Sequence, residues 1–101
     1  MEQFIYQFKE NHKLNLMTDP DLWTEEDNRI AEEHFAHLKS ATRKGIVVLA
    51  GRDPSGVGPA IVIFEAENEV KAMEFLKSDP FISSGLFLAD LHRFRVAFQR
   101  E

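Results

Sequence analysis

The sequence predicts an α+β fold, with two helices lying on one side of a four-stranded sheet. Three observations predict it: aromatic residues stand at every second position in residues 3–9, helical patterns follow Thr24 and Asn68, and two apolar strands separate the helices. With a last strand near the carboxyl end, the order is strand, helix, strand, strand, helix, strand. This order matches a ferredoxin-like βαββαβ sandwich.

The first strand and the first helix each carry one apolar face. In residues 3–9 the aromatic side chains share one side, which is typical of a strand with one buried face. The helix begins after the capping residue Thr24 with an acidic first turn, and it ends at Gly45, which suits a left-handed terminal position. Residues 11–22 predict a long loop, either a surface loop anchored by apolar side chains or a lid over a site.

Residues 46–50 and 60–65 predict two apolar strands. The turn-forming residues 52–59 join them as a hairpin. Because both strands are apolar at nearly every position, we expect residues 46–50 to be buried on both faces and neither strand to have a solvent-exposed face. The chain has no third helix for the second face of the sheet, so the sequence predicts a homodimer in which two sheets pack face to face.

The second helix and the last strand complete the predicted fold. Asn68 caps the helix, and Pro80 ends it, because the residue before a proline avoids helical conformations. The last strand is expected at residues 91–98, where Phe94, Val96 and Phe98 alternate with other side chains.

Length and composition exclude several classes of protein. With 101 residues we expect one domain, residues 1–101, that buries a core without covalent links. The chain has no cysteine, which excludes disulfides, a thiolate nucleophile and a zinc finger, and a cytoplasmic location is expected. The amino terminus lacks the pattern of a signal peptide and no run is long and apolar enough for a membrane span, so we expect a soluble protein without a membrane partner. The net charge of −5 opposes binding to nucleic acid.

A histidine and an aspartate are the candidate catalytic residues. His34 falls inside the apolar stripe of the first helix, between Ile30 and Leu38, so its ring must face the sheet. Asp79 stands at the helix-breaking corner before Pro80. A carboxylate beside a buried imidazole would stabilise its charged form and leave the other ring nitrogen to take or give a proton. The alternatives are a core histidine bonded to a backbone carbonyl and an aspartate that only caps the turn after Pro80.

Other polar residues have two interpretations each. His34 and His37, with Asp79 or His92, could hold a metal, but the usual third-ligand motif is lacking and we expect no metal. Arg52 could bind an anionic substrate after the strand end or be a solvated turn residue. The chain has no phosphate-binding glycine loop, and we expect no cofactor.

Two segments together resemble the YciI-like, or YCII-related, family of the dimeric α/β-barrel group. The first, residues 34–51, contains HFAHL and then GIVVLAG, similar to the family's histidine-bearing helix, glycine end and apolar strand closing in Ala-Gly. The second, residues 78–87, contains SDPF and then GLF, similar to the family's Asp-Pro-aromatic signature followed by glycine. Arg52 stands where many members have proline, and the hairpin lacks the longer family insertion.

The resemblance implies a ferredoxin-like dimer, a dimeric α/β barrel, with an active site built on the family's conserved histidine and aspartate, here His34 and Asp79. One characterised relative is a dehydrochlorinase acting on a chlorinated hydroxyquinol, and the barrel group includes muconolactone isomerases and cofactor-free monooxygenases. The leading hypothesis is a cofactor-free enzyme in which His34, held by Asp79, is the general acid/base in an isomerisation or elimination on a small cyclic oxygenated metabolite. The alternative is a non-catalytic, dimeric module that binds a small molecule.

Overall fold

The protein contains a four-stranded antiparallel sheet with its helices on one side. This architecture is that of a computed structural model, which describes residues 1–100. In chain order the elements are β1 (Glu2–Glu10), α1 (Glu25–Arg43), β2 (Val47–Arg52), β3 (Ala60–Ala66), α2 (Glu69–Ser78), α3 (Pro80–Ser83) and β4 (Phe87–Arg93), with a 3-10 turn at Pro20–Leu22. The strands lie in the order β2-β3-β1-β4, and neighbouring pairs are antiparallel. The predicted α+β, ferredoxin-like fold is confirmed. No helix among residues 1–100 combines the length and apolar character that crossing a membrane requires.

Side-chain caps fix where the two long helices begin. Thr24 accepts a hydrogen bond from the backbone N–H of Asp27, and the Asp27 carboxylate accepts one from the N–H of Thr24, which completes a capping box. Asn68 accepts a bond from the N–H of Lys71 at the start of α2. After α1, Gly45 has a φ of 80°, a left-handed value that favours glycine. The predicted caps therefore agree with the structure.

The core lies between the helices and one face of the sheet. Phe4, Tyr6 and Phe8 of β1 are all buried on this face, as their period-two spacing predicts. The strand register pairs Phe4 with Phe64 and Tyr6 with Val62, so β3 contributes buried side chains to the same face. This aromatic layer lies directly beneath the candidate site.

The prediction that residues 46–50 are buried on both faces is wrong for the single chain. β2 lies at the edge of the sheet, next to β3. Val47 is buried, whereas Leu49 on the opposite face is 48% exposed and residues 50–52 are exposed. An apolar run therefore does not distinguish a central strand from an edge strand whose second face is uncovered.

The last strand ends earlier than the alternating pattern predicts. Residues 94–98 were expected to form its apolar part, but they lie beyond the end of β4. Pairing with β1 matches Phe4 with Arg93, so β1 has few residues left to pair with anything that follows. The segment after β4 runs past Gln3 of β1, and the Phe98 side chain is 97% exposed. The prediction is wrong for this segment because a strand needs a neighbouring strand as well as an alternating pattern.

Candidate active site

Asp79 occupies a sharp corner between two helices. Pro80 disfavours helical backbone at Asp79, which takes φ and ψ values of −67° and 124° and separates α2 from α3. The Asp79 side chain is fully buried, and its Oδ1 accepts the N–H of Phe81 at 3.0 Å. The cap interpretation therefore describes one role of this carboxylate.

Two further side chains bind the same carboxylate. His34 Nδ1 lies 2.7 Å from Oδ1 of Asp79, and the Tyr6 hydroxyl donates to Oδ2 at 2.7 Å. An ionised carboxylate only accepts hydrogen bonds, so beside an ionised partner Nδ1 of His34 is the ring nitrogen that carries the hydrogen and donates it. The histidine and the aspartate singled out in the sequence are thus in direct contact, and His34 bonds a carboxylate instead of a backbone carbonyl.

Aromatic rings fix the orientation of the His34 imidazole. Phe81 stacks on it, with ring centroids 3.9 Å apart and planes inclined by 20°. Phe8 and Phe35 contact it edge to face, with centroids 5.5 Å and 5.6 Å away. The contact with Asp79 therefore lies in a largely aromatic surrounding, where charge interactions are stronger than in water.

The second ring nitrogen of His34 faces a cavity of about 860 Å³ between α1, the β2–β3 hairpin and the loop that follows β1. Among the described residues, Nε2 makes no hydrogen bond, whereas every buried side-chain nitrogen or oxygen has a partner. Nε2 is therefore not buried, and it is open to this space. The volume is typical of a small-molecule pocket. Apolar residues that line it include Trp23, Phe35, Leu38, Phe81 and Phe87.

The loop between β1 and α1 forms one wall of this cavity and is anchored at its base. The Lys13 ammonium contacts both carboxylate oxygens of Asp27 at 2.7 Å, and Trp23 Nε1 donates to the carbonyl of Leu16. Burial opposes ionisation of Asp27, but the bonds from Lys13 and Thr24 outweigh it and lower the pKa of this carboxyl. The loop is therefore an anchored surface loop that also lines the cavity through Trp23.

Tyr6 is a site residue that sequence reasoning missed. Its period-two position placed it only among the core aromatics. Burial, the charge of Asp79 and the hydrogen bond to Asp79 all raise the pKa of Tyr6 well above its usual range, so the hydroxyl remains a donor wherever a histidine can titrate. The available signal was that a buried tyrosine usually needs a hydrogen-bond partner for its hydroxyl.

Alkaline titration tests this contact, because Tyr6 is the only tyrosine in the chain. We expect the native protein to show no phenolate absorbance near pH 10, where the denatured chain ionises at about the ordinary tyrosine value. Since the folded-state pKa of Tyr6 is raised, the stability that this group contributes is present below about pH 10 and is lost as the pH rises through the folded-state pKa. Phenolate absorbance and unfolding should therefore appear together. A native protein that titrates at the ordinary value would contradict the buried contact.

Comparison with known families matches residues 4–91 to the YCII-related domain. This protein belongs to the YCII-related family. The match runs from within β1 to within β4 and includes both His34 and Asp79. It confirms the resemblance carried by residues 34–51 and 78–87. Among curated protein sequences, none matches the chain.

One solved structure with a similar fold is 5-chloro-2-hydroxyhydroquinone dehydrochlorinase (TftG) from Burkholderia phenoliruptrix AC1100, in complex with 2,5-dihydroxybenzoquinone. The two chains are 24% identical, and the match covers 92% of this chain and 93% of that chain with a TM-score of 0.60. At this level of identity, the likeness shows that this YCII-related protein shares the fold of TftG over almost its whole length.

The histidines that were considered as metal ligands lie in different surroundings. The His37 ring stacks on Phe75 and lies 3.4 Å from Ser78 Oγ, and burial lowers the pKa of His37. His92 pairs with Ile5 of β1, so it lies on the sheet face away from the helices. Within residues 1–100, no three histidine, cysteine, aspartate or glutamate side chains are grouped to hold a metal. The metal alternative therefore has no assembled ligand set in the described chain.

Arg52 lines the same cavity as His34. It is the last residue of β2, is exposed, and pairs with Ala60 of β3. The three residues singled out in the sequence thus converge: His34 and Arg52 both face the cavity, and Asp79 lies behind His34.

Proposed function

We propose that this protein is a cofactor-free enzyme that moves protons on a small cyclic oxygenated metabolite, in an isomerisation or an elimination of the dehydrohalogenation type. The observation that supports this most is the His34 imidazole, held at Nδ1 by the Asp79 carboxylate with Nε2 open to a largely apolar cavity. This arrangement suits general acid/base catalysis, because the carboxylate stabilises the charged ring and determines which nitrogen reacts.

In the proposed reaction, Nε2 of His34 removes a proton from a hydroxyl group or an acidic carbon of the substrate. The resulting imidazolium keeps its Nδ1–H on Asp79, whose negative charge stabilises it. In an elimination, the electron pair left behind expels a leaving group such as a halide. In an isomerisation, His34 returns the proton to a different atom. Tyr6 and Phe81 act as positioning groups, because their hydrogen bonds hold the two carboxylate oxygens.

The ring-shaped substrate and the role of Arg52 have separate support. TftG is a dehydrochlorinase of 5-chloro-2-hydroxyhydroquinone, and its structure holds 2,5-dihydroxybenzoquinone. A similar fold therefore accommodates an oxygenated ring, which favours the same kind of substrate for this chain. Arg52 lines the cavity with its guanidinium available to bind an oxygen substituent of that ring.

Two assays test the proposal. In the first, the protein is incubated with 5-chloro-2-hydroxyhydroquinone and chloride release is measured. In the second, a panel of cyclic ketones and lactones is incubated in deuterium oxide, and NMR follows solvent deuterium entering carbon positions. We expect protein-dependent turnover in at least one assay. Binding of these compounds without turnover in either would overturn the proposal in favour of the non-catalytic binding module.

We further propose that the protein is a homodimer that packs through the outer face of the sheet, defined as the face away from the helices. Leu49 and Leu88 lie on this face and are 48% and 44% exposed. Exposed apolar side chains on one sheet face favour a covering partner, and a second copy carries the same face. Sedimentation should give twice the chain mass of 11.6 kDa.

A pair of variants distinguishes a specific interface from general association. Leu88→Glu should shift the protein to the mass of a single chain, because it places a charge on the covered face. Leu14→Glu, at an exposed leucine in the loop after β1, should leave the dimer unchanged. A single-chain mass for the unaltered protein, or an unchanged dimer in Leu88→Glu, would contradict this interface.

A further inference from the structure

We infer that the cavity takes a planar ring bearing an ionised acidic group, a carboxylate or an acidic hydroxyl, and that Lys39 and Arg52 together bind that group. This inference rests on the proposed function, because it names the substrate class of the same site. It adds Lys39 as a residue that determines specificity, which neither the sequence nor the comparisons assign.

Two cationic side chains that make no salt bridge within residues 1–100 line the cavity. Lys39 of α1 and Arg52 at the end of β2 are both exposed and both line it. Among residues 1–100, neither takes part in a salt bridge or a side-chain hydrogen bond, whereas Lys9, Lys13 and Arg29 all pair with carboxylates. The cavity therefore offers one ammonium group and one guanidinium group to an incoming anion.

Among residues 1–100, one carboxylate lines the cavity, and its oxygens already accept hydrogen bonds. Asp53 accepts bonds at Oδ1 from the backbone and hydroxyl of Ser55, and at Oδ2 from the N–H of Gly58. The backbone hydrogen bond from Ser55, followed by its hydroxyl and the Gly58 N–H, lowers the pKa of Asp53, and the charge of the neighbouring Arg52 lowers it less. Asp53 is thus committed to its own turn, and Lys39 and Arg52 remain available to a ligand.

The positive lining contrasts with the charge of the whole chain. The protein carries a net charge of −5, so its average field repels anions. A cavity lined by two cations and one internally satisfied carboxylate is a local exception to that field. The two cations attract an anionic ligand but not a neutral ring, so the cavity favours anionic ligands specifically.

The shape of the ligand follows from the rings in the wall. Trp23, Phe35 and Phe81 are aromatic residues that line the cavity, and aromatic side chains favour contact with flat rings. A planar ring lying there can place one edge near Nε2 of His34. Its acidic substituent then stays near the exposed cations, where an anion keeps part of its hydration and avoids the cost of full burial.

Paired probes of the same ring test the inference. Calorimetry compares 2,5-dihydroxybenzoate with hydroquinone, which has the same ring and hydroxyls but no carboxylate. We expect the wild type to bind the carboxylate probe about tenfold more tightly, and that preference to shrink at high salt. Lys39→Gln and Arg52→Gln should each remove part of the preference, and the double variant should remove all of it. Arg43→Gln, a cation one turn further along α1 that does not line the cavity, is the matched control and should retain it.

The outcomes separate this inference from the proposed function. No preference for the carboxylate probe in the wild type, or a preference that survives in the double variant, would overturn the inference even if the protein turns over a substrate. A preference that depends on both cations supports it even if no turnover is found, in which case only the enzymatic proposal fails. The same binding comparison in His34→Gln should show the preference intact, because the cations and not the imidazole produce it.

Discussion

Replacing His34 by glutamine is expected to reduce turnover in the chloride-release and deuterium-exchange assays by about a hundredfold or more. Glutamine is close in size and can still donate to Asp79, but it cannot take up and release a proton near neutral pH. The contacts of the ring with Phe8 and Phe81 are lost, so circular dichroism must show that the variant remains folded.

His37→Gln provides the matched control for this experiment. His37 lies on the same helix, and its ring stacks on Phe75 instead of lining the cavity. The same chemical change there should leave turnover within about threefold of wild type, since effects away from the site are usually small. Equal losses in both variants, or full activity in His34→Gln, would show that His34 is not the proton-transfer group.

Replacing Asp79 by alanine is expected to lower the free energy of unfolding by about 3–5 kcal/mol. The carboxylate is fully buried and bonds Tyr6, His34 and the backbone N–H of Phe81, so its removal leaves two buried groups and one part-buried donor without their partner. Since the free energy of unfolding of a small domain is only about 5–15 kcal/mol, a loss of this size should clearly lower the midpoint of urea denaturation.

Two other variants keep this prediction testable if Asp79→Ala does not fold. Asp79→Asn preserves the volume and one accepting oxygen, and should cost about 1–3 kcal/mol. Ser78→Ala changes the preceding residue, which is exposed and bonds locally to the carbonyl of Phe75, and should cost less than about 1 kcal/mol. If Asp79→Asn is as stable as Ser78→Ala, the carboxylate does not hold the site together.

The predictable parts of the structure are those that short-range chemistry determines. Pro80 forces the corner at Asp79, helical periodicity places His34 on the buried face, and capping residues such as Thr24 mark where helices begin. Each of these depends on residues a few positions apart. Fold class and the candidate pair therefore followed from the sequence.

The features that the sequence did not reveal depend on contacts between distant segments. The hydroxyl of Tyr6 reaches a carboxylate 73 positions away, and no local pattern distinguishes that tyrosine from its phenylalanine neighbours. The alternation of residues 94–98 is a strand pattern, but β1 begins at Glu2 and is too short to pair with this whole segment. Likewise, the exposure of Leu49 depends on the position of β2 at the sheet edge, which strand composition does not encode.

The most direct test of the central claim is a long-range proton–nitrogen NMR measurement of the His34 ring in the folded protein. We expect a hydrogen on Nδ1, bonded to Asp79, with Nε2 lacking a hydrogen when the ring is neutral. We also expect this preference to weaken in Asp79→Asn, because the substitution removes the charge that Nδ1 bonds. A neutral His34 with its hydrogen on Nε2, or a tautomer that ignores the substitution of Asp79, would contradict the claim that this carboxylate prepares His34 for proton transfer.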